Sequence, residues 1–265
     1  MVDIYPVSLY SNTIHRRSSD MNRINFGDVF ETNEGGLVSV VEYQSWDKIK
    51  VRHNDEHGHI STVRSDQLRD GRIKNPYKPS VYETGFIGSG VHMVSRKSIH
   101  SPAYHTWREM FVRCYSEKFH KKQPTYLGCR VEEKWHNFQV FAEWFFSNKN
   151  SQNSDFALDK DLRIGGNKIY SQETCSFVPQ EINSLLTNRL AKRGIYPQGV
   201  SADGKRFTAQ LQVDGKTIFL GNYATPADAH LIYKEAKQKN VRRMAEKWSE
   251  HLHPEVYQYL STWKF

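Results

Sequence analysis

Residues 199–223 read GVSADGKRFTAQLQVDGKTIFLGNY. Two Asp-Gly pairs, Asp203-Gly204 and Asp214-Gly215, separate runs rich in Val, Thr, Phe and Ile. Asp-Gly takes the left-handed backbone that two-residue hairpin turns need, so the stretch predicts three antiparallel strands. On the middle one, Phe207, Ala209, Leu211 and Val213 alternate with Arg206, Thr208, Gln210 and Gln212. A period of two gives one apolar and one polar face. A helix is predicted next, with Thr225 as its cap and Pro226 in its first turn. Its stripe of Ala229, Ile232, Tyr233 and Ala236 can cover the apolar face. The polar face then stays open, rimmed by Lys205, Arg206 and Lys216. Arginine and glutamine on such a face match guanine and adenine edges in a major groove.

Upstream, residues 158–186 read LDKDLRIGGNKIYSQETCSFVPQEINSLL. A strand is expected over Leu158–Leu162, a turn at Gly165-Gly166-Asn167 and a second strand over Cys175–Val178. A helix starting near Pro179 carries Ile182, Asn183 and Leu186. Asp159 offers a carboxylate and Asn183 an amide oxygen. A strand and a helix packed together can bring both to one Mg²⁺ or Mn²⁺, since Mg²⁺ prefers oxygen donors and often takes only one or two from protein. The plainer alternative is a surface turn for Asp159 and a helix-face polar contact for Asn183.

The strand, turn, strand, helix order resembles the metal-binding core of HNH nucleases, particularly phage-type members. Thr174-Cys175-Ser176-Phe177-Val178-Pro179 looks like the second strand of that family, and Asn183 falls at its helix position. The resemblance implies metal-dependent phosphodiester cleavage, with Asp159, Lys160 and Asn183 at the catalytic positions and Asp159 and Asn183 as ligands. Two residues depart from the family. Lys160 stands where the general-base histidine is expected, and Thr174 replaces an asparagine that fixes the base-bearing loop. Lysine, with a pKa of about 10.4, is a poor base unless perturbed, and the flanking Asp159 and Asp161 favour its charged form. It also suits a phosphate contact. His105, His120 and His136, from the preceding helical region, are alternative bases.

Residues 199–236 resemble the AP2 DNA-binding domain through Gly199-Val200, Ala209-Gln210-Leu211, Leu220-Gly221-Asn222-Tyr223 and the Ala/Tyr-rich stretch Ala227–Ala236. That resemblance implies a double-stranded DNA partner. It places Arg206, Thr208, Gln210, Thr217 and Phe219 on the contacting face, with Gln212, Lys205 and Lys216 beside them. Ser201 stands where plant members usually carry arginine, so no base preference transfers.

Charge agrees with a polyanionic partner. The chain of 265 residues carries a net +8, and residues 187–250 hold twelve Lys/Arg against six Asp/Glu. A basic segment of this kind attracts nucleic acid, or is simply a soluble basic face. The rest of the chain predicts an α+β, multidomain protein: an N-terminal β-rich module over 1–85, an HNH-like core with preceding helices over 86–190, and an AP2-like domain over 191–265. In the first region Leu37–Tyr43 and Ile49–Val51 are strand-like, and the closely spaced His53, His57 and His59 are expected in a wet loop, with metal binding as the alternative. Gly85–Gly90 (GFIGSG) is expected as a linker. Ser101-Pro102 starts a helix bearing Tyr104, Trp107, Phe111 and Cys114, and Trp135, Phe138, Ala142 and Phe145 form a second apolar stripe.

No stretch approaches the roughly 20 apolar residues of a membrane span, and the N-terminus lacks a secretory pattern. Cys114, Cys129 and Cys175 contain no CxxC pair, so buried thiols are expected rather than structural zinc. A reducing cytoplasm follows, and the phage resemblance implies that of an infected bacterial cell. Three functions fit: a DNA endonuclease or nickase akin to phage homing enzymes, an inactive DNA-binding regulator with a degenerate core, or an interaction protein acting through the N-terminal module.

Overall fold

The computed structural model describes residues 23–148, 150–186 and 195–265. The protein is a mixed α+β chain with several small sheets, and it divides into two compact units, Met1–Pro76 and Tyr77–Phe265. The N-terminal residues read above for a secretory signal lie outside the described residues, as does the expected boundary at 190/191. Among the described residues no helix is long and apolar enough to cross a membrane.

The first unit is an antiparallel meander of β1 (Val29–Glu31), β2 (Leu37–Ser45), β3 (Lys48–His53) and β4 (Ile60–Val63), followed by the short α1 (Ser65–Arg69). Alternate residues point inward, so Val38, Val40, Ile49, Val51 and Val63 form a core closed by Leu68. The same alternation corrects the reading of His53. It lies inward on β3, buried and stacked on His59 with ring centroids 5.9 Å apart, and burial lowers its pKa. His57 is exposed, as expected.

The second unit begins with a small hairpin, β5 (Ser95–Arg96) and β6 (Ile99–His100), then α2 (Pro102–Tyr115), α3 (Glu117–Lys122), β7 (Arg130–Val131) and α4 (Phe138–Ser147). Ser101 Oγ caps α2 by accepting the Tyr104 N–H at 3.2 Å. The two predicted stripes meet. Trp107, Met110 and Phe111 pack with Trp135, Phe138, Phe141 and Phe145, and Trp107 Nε1 donates to the Trp135 carbonyl at 2.7 Å. The Gly85–Gly90 run is no linker. Phe86 trades backbone hydrogen bonds with His136 and Phe138, each at 2.9 Å. A Cβ at Gly85 would lie 2.9 Å from the Phe111 and Trp107 rings, so only glycine lets the backbone lie on that core.

Beyond α4 come β8 (Phe156–Asp159), β9 (Ile169–Tyr170), β10 (Ser176–Pro179) and α5 (Gln180–Leu185). β8 and β10 are antiparallel, with Ser176 opposite Asp159, while β9 pairs in parallel with β7. The chain then forms β11 (Val200–Asp203), β12 (Arg206–Val213), β13 (Lys216–Tyr223), α6 (Pro226–Lys247) and α7 (Pro254–Thr262). α6 runs well past the expected Ala227–Ala236. Residues 237–247 hold no glycine or proline, and Val241, Met244 and Ala245 bring a second apolar stripe. That stripe joins Leu162, Val178 and Ile182 in a core completed by Leu252, Val256 and Leu260.

Candidate functional site

Two adjoining clefts, of 320 and 480 Å³, meet at Asp159, Lys160, Asp161 and Asn183. The strand bearing Asp159 ends sooner than expected. Oδ1 of Asp159 accepts the N–H groups of Asp161 and Leu162, both at 2.8 Å. This side-chain turn ends the ladder three residues before Leu162. Asn183 arrives from the other side because Ile182, one residue earlier on α5, is fully buried. The two residues singled out as ligands therefore line one cleft, although 24 positions separate them. Burial pushes the Asp159 carboxyl above the usual range, against the pull of its two backbone donors. Both those donors use Oδ1, so neither occupies the other oxygen. A carboxylate short of solvation beside an amide-bearing residue fits one hard cation that keeps part of its water. Among the described residues no group of three or more His, Cys, Asp or Glu converges, so a cation here has few protein ligands.

Lys160 is buried and fully engaged. Its Nζ donates to Asp161 Oδ1 at 2.7 Å and to the Asn167 carbonyl at 2.9 Å. It lies 5.7 Å from the Tyr126 ring centroid and 5.8 Å from that of Tyr170. Burial works to lower its pKa, but the Asp161 hydrogen bond and charge outweigh it, and the net shift is upward. Lys160 is thus a held cation and cannot accept a proton near neutral pH.

Asn167, read from sequence only as part of a turn, locks the same loop. Its Nδ2 donates to the carbonyls of Lys160 at 2.8 Å and Ile169 at 2.6 Å, and its Oδ1 accepts the Ile169 N–H at 3.1 Å. Thr174 adds a bond from Oγ1 to the Ile169 carbonyl at 2.7 Å. The signal for Asn167 was an amide side chain following two glycines, which tolerates turns and bonds locally. Sequence reading also missed Glu109 and Arg113. Both lie on α2, line the cleft, and are four residues apart, on one face of the helix away from the buried Trp107. Arg113 shares the cleft wall with Tyr170.

The three histidines proposed as bases lie elsewhere. His105 is exposed, His120 Nε2 meets the Arg113 carbonyl at 2.9 Å, and His136 Nε2 meets the Val131 carbonyl at 3.2 Å. A ring nitrogen facing a carbonyl must carry the proton, which spends it on structure. No histidine is among the described residues lining either cleft. Cys114, Cys129 and Cys175 are free and buried in the aromatic core, and burial pushes the Cys114 and Cys175 thiols up to about 12.

The C-terminal sheet forms a second distinct surface. Asp214 and Gly215 both have positive φ, 49° and 76°, the pattern of a type I′ turn. The other hairpin turns instead on Gly204 and Lys205, with Gly204 at φ 59°. On the inner face Ala209 and Leu211 are buried, with Ala229 and Tyr233 of α6. Gly199 lies against Tyr233 so closely that a Cβ would sit 1.9 Å from the ring. On the outer face Arg206, Gln210 and Gln212 are exposed, and Thr208 is half-buried.

Cross-strand partners extend that outer face: Gln210 faces Phe219, Gln212 faces Thr217, and Thr208 faces Asn222. Phe219 reaches it because the register shifts between Ala209 and Gln210, leaving Leu220 as an extra residue in β13. Simple alternation from Tyr223 would have turned Phe219 inward; with the bulge it is 64% exposed. Lys205, in the turn before β12, and Lys216, at the start of β13, are both exposed. Asn222, missed in the sequence, organises one end. Its Oδ1 accepts from Thr208 Oγ1 at 2.7 Å, and its carbonyl accepts from Arg206 at 3.2 Å. Seven of the eight residues expected to touch a partner thus lie on this face or in the Gly204-Lys205 turn, and Lys216 departs: it starts β13 opposite Val213, on the side of the apolar face.

Comparison with protein-family models, curated proteins and solved structures finds no match.

Proposed function

We propose that the chain binds duplex DNA through the outer face of the β11–β13 sheet and cleaves a phosphodiester bond at the Asp159/Asn183 cleft, aided by one Mg²⁺ or Mn²⁺. On this reading the region is an HNH-type core followed by an AP2-type reader. The observation that carries it is the convergence of Asp159 and Asn183, from β8 and α5, on one cleft. A bound cation supplies charge that offsets the phosphate and the leaving oxygen. Asp159 and Asn183 would hold it. Arg113, on the cleft wall beside Tyr170, gives the phosphate a cationic contact that Lys160, tied to Asp161, is less able to give. Asn167 and Lys160 keep the loop between β8 and β9 in one geometry.

A second reading, a DNA-binding regulator with an inactive core, is favoured by the charged state of Lys160 and by the lack of histidine among the described cleft residues. Supercoiled plasmid incubated with the purified protein in Mg²⁺, Mn²⁺ or EDTA separates the two. The nuclease reading expects nicked or linear product with metal alone. Retarded plasmid that stays supercoiled under every condition transfers the conclusion to the regulator.

A further inference from the structure

We infer that α6 is a ruler that fixes how far the reacting phosphate lies from the DNA sequence read by the sheet. The inference rests on the DNA-cleaving reading above and adds the cutting position to it.

One uninterrupted helix is clamped at both ends. Its first half lies under the sheet: Ala229 and Tyr233 are buried, and Tyr233 fills the space beside Gly199. Its second half belongs to the core behind the cleft, where Val241, Met244 and Ala245 pack with Leu162, Val178 and Ile182. These are neighbours of the cleft residues: Leu162 donates its N–H to Asp159, and Ile182 precedes Asn183. Polar contacts tie the helix to both parts, and its second half reaches the sheet as well. Arg243 meets Asp214, in the β12–β13 turn, at 2.9 Å. Lys247 meets Glu181 of α5 at 2.8 Å, and Lys237 Nζ donates to the Leu185 carbonyl. α7 folds back so that Tyr259 lines the Asp159 cleft.

After Pro226 the helix holds neither glycine nor proline, so it has no built-in hinge. A helix rises about 1.5 Å per residue, so Ala229 to Ala245 spans about 24 Å, about seven base-pair steps at 3.4 Å each, and this is the upper limit of the offset because the Asp214 turn already reaches Arg243. Two independently moving modules would cut over a broad window. Modules joined this way cut at one offset.

The test reads position without requiring turnover. Gly165 lines the cleft, its backbone is not left-handed, and an added Cβ meets nothing within 4 Å. The full-length Gly165→Cys protein is labelled with iron–EDTA, the native thiols being buried. It is then placed on duplexes selected from a random library for binding to the unlabelled protein. The expected result is one cluster of hydroxyl-radical scission, within about seven base-pair steps of the protected sequence. A flexible Gly-Ser insertion between Gln238 and Lys239 should broaden or displace that cluster while protection persists. Protection with scission scattered over two helical turns or more overturns the ruler and leaves DNA reading intact, as does an unmoved cluster after insertion. The Gly165→Cys pattern alone decides if the insertion fails to fold. A folded full-length protein that protects no duplex overturns the DNA reading, and the ruler with it.

Discussion

Replacing Lys160 by methionine removes the ammonium and keeps most of the apolar stem. Two contacts disappear, to the Asn167 carbonyl at 2.9 Å and to Asp161 at 2.7 Å. The first is a hydrogen bond from a charged, buried donor, worth about 1.5–3 kcal/mol. The second has a partner whose side chain is 52% exposed, so solvent screening limits it to about 1 kcal/mol. Lys160→Met should therefore destabilise the second unit by about 2–4 kcal/mol, read as a lower urea midpoint at unchanged slope. The pH dependence has a definite sign. The folded-state pKa is raised, so this stabilisation is complete below the unfolded value of about 10.4 and fades as the pH climbs through the higher folded value. The gap between parent and variant should hold from pH 7 to 9 and narrow in stronger alkali. Lys160→His should also lose stability, because the shorter imidazole cannot reach both acceptors. A Lys160→Met protein as stable as the parent, yet unable to cut plasmid that the parent cuts, would refute the structural role and return Lys160 to chemistry.

Burial raises the Asp159 pKa, so its contribution to stability is present below about pH 3.9 and lost as the pH rises through the folded value. Asp159→Asn should accordingly unfold at a higher temperature than the parent at pH 7, lose that advantage in acid, and lose any thermal shift produced by Mg²⁺; calorimetry with and without the ion checks all three. Arg206→Ala should weaken duplex binding by about 1–3 kcal/mol if the side chain reads a base, and unchanged affinity in a gel-shift titration would remove it from the interface. Gly199→Ala puts a methyl group 1.9 Å from the Tyr233 ring at a φ of 78°. Left-handed strain and overpacking together should cost about 2–4 kcal/mol in denaturant.

The C-terminal sheet was legible because its signals are local. Two Asp-Gly pairs and a period of two determine strands, faces and turns without distant partners. The turn after β11 nonetheless falls one residue later than the Asp-Gly pair suggests, on Gly204 and Lys205. The ββα order was also readable, but the end of β8 was not. Asp159 stops the strand with its own side chain, a competition between side chain and ladder that periodicity does not register. Long-range partners were least accessible. Arg113 and Tyr170 line one cleft although 57 positions separate them, and α6 outruns its expected length because its second half has a different core to cover. The Gly85–Gly90 run carried a linker's composition and a packing role, since small residues serve both purposes.

The core behind the cleft is completed by residues synthesised well after the strand and helix that form its wall. Val178 and Ile182 are covered by Val241, Met244, Val256 and Leu260. At translation rates of about 5–20 residues per second those partners arrive roughly 3 to 16 seconds later. During that interval β10 and α5 have an uncovered apolar side, and the wall holding Asn183 has no support. The sheet, by contrast, is covered by Ala229 and Tyr233, which precede those partners in the chain. On the function proposed here, the cutting centre is completed only in a chain that already carries the reading sheet, because the residues that cover Val178 and Ile182 follow that sheet in sequence.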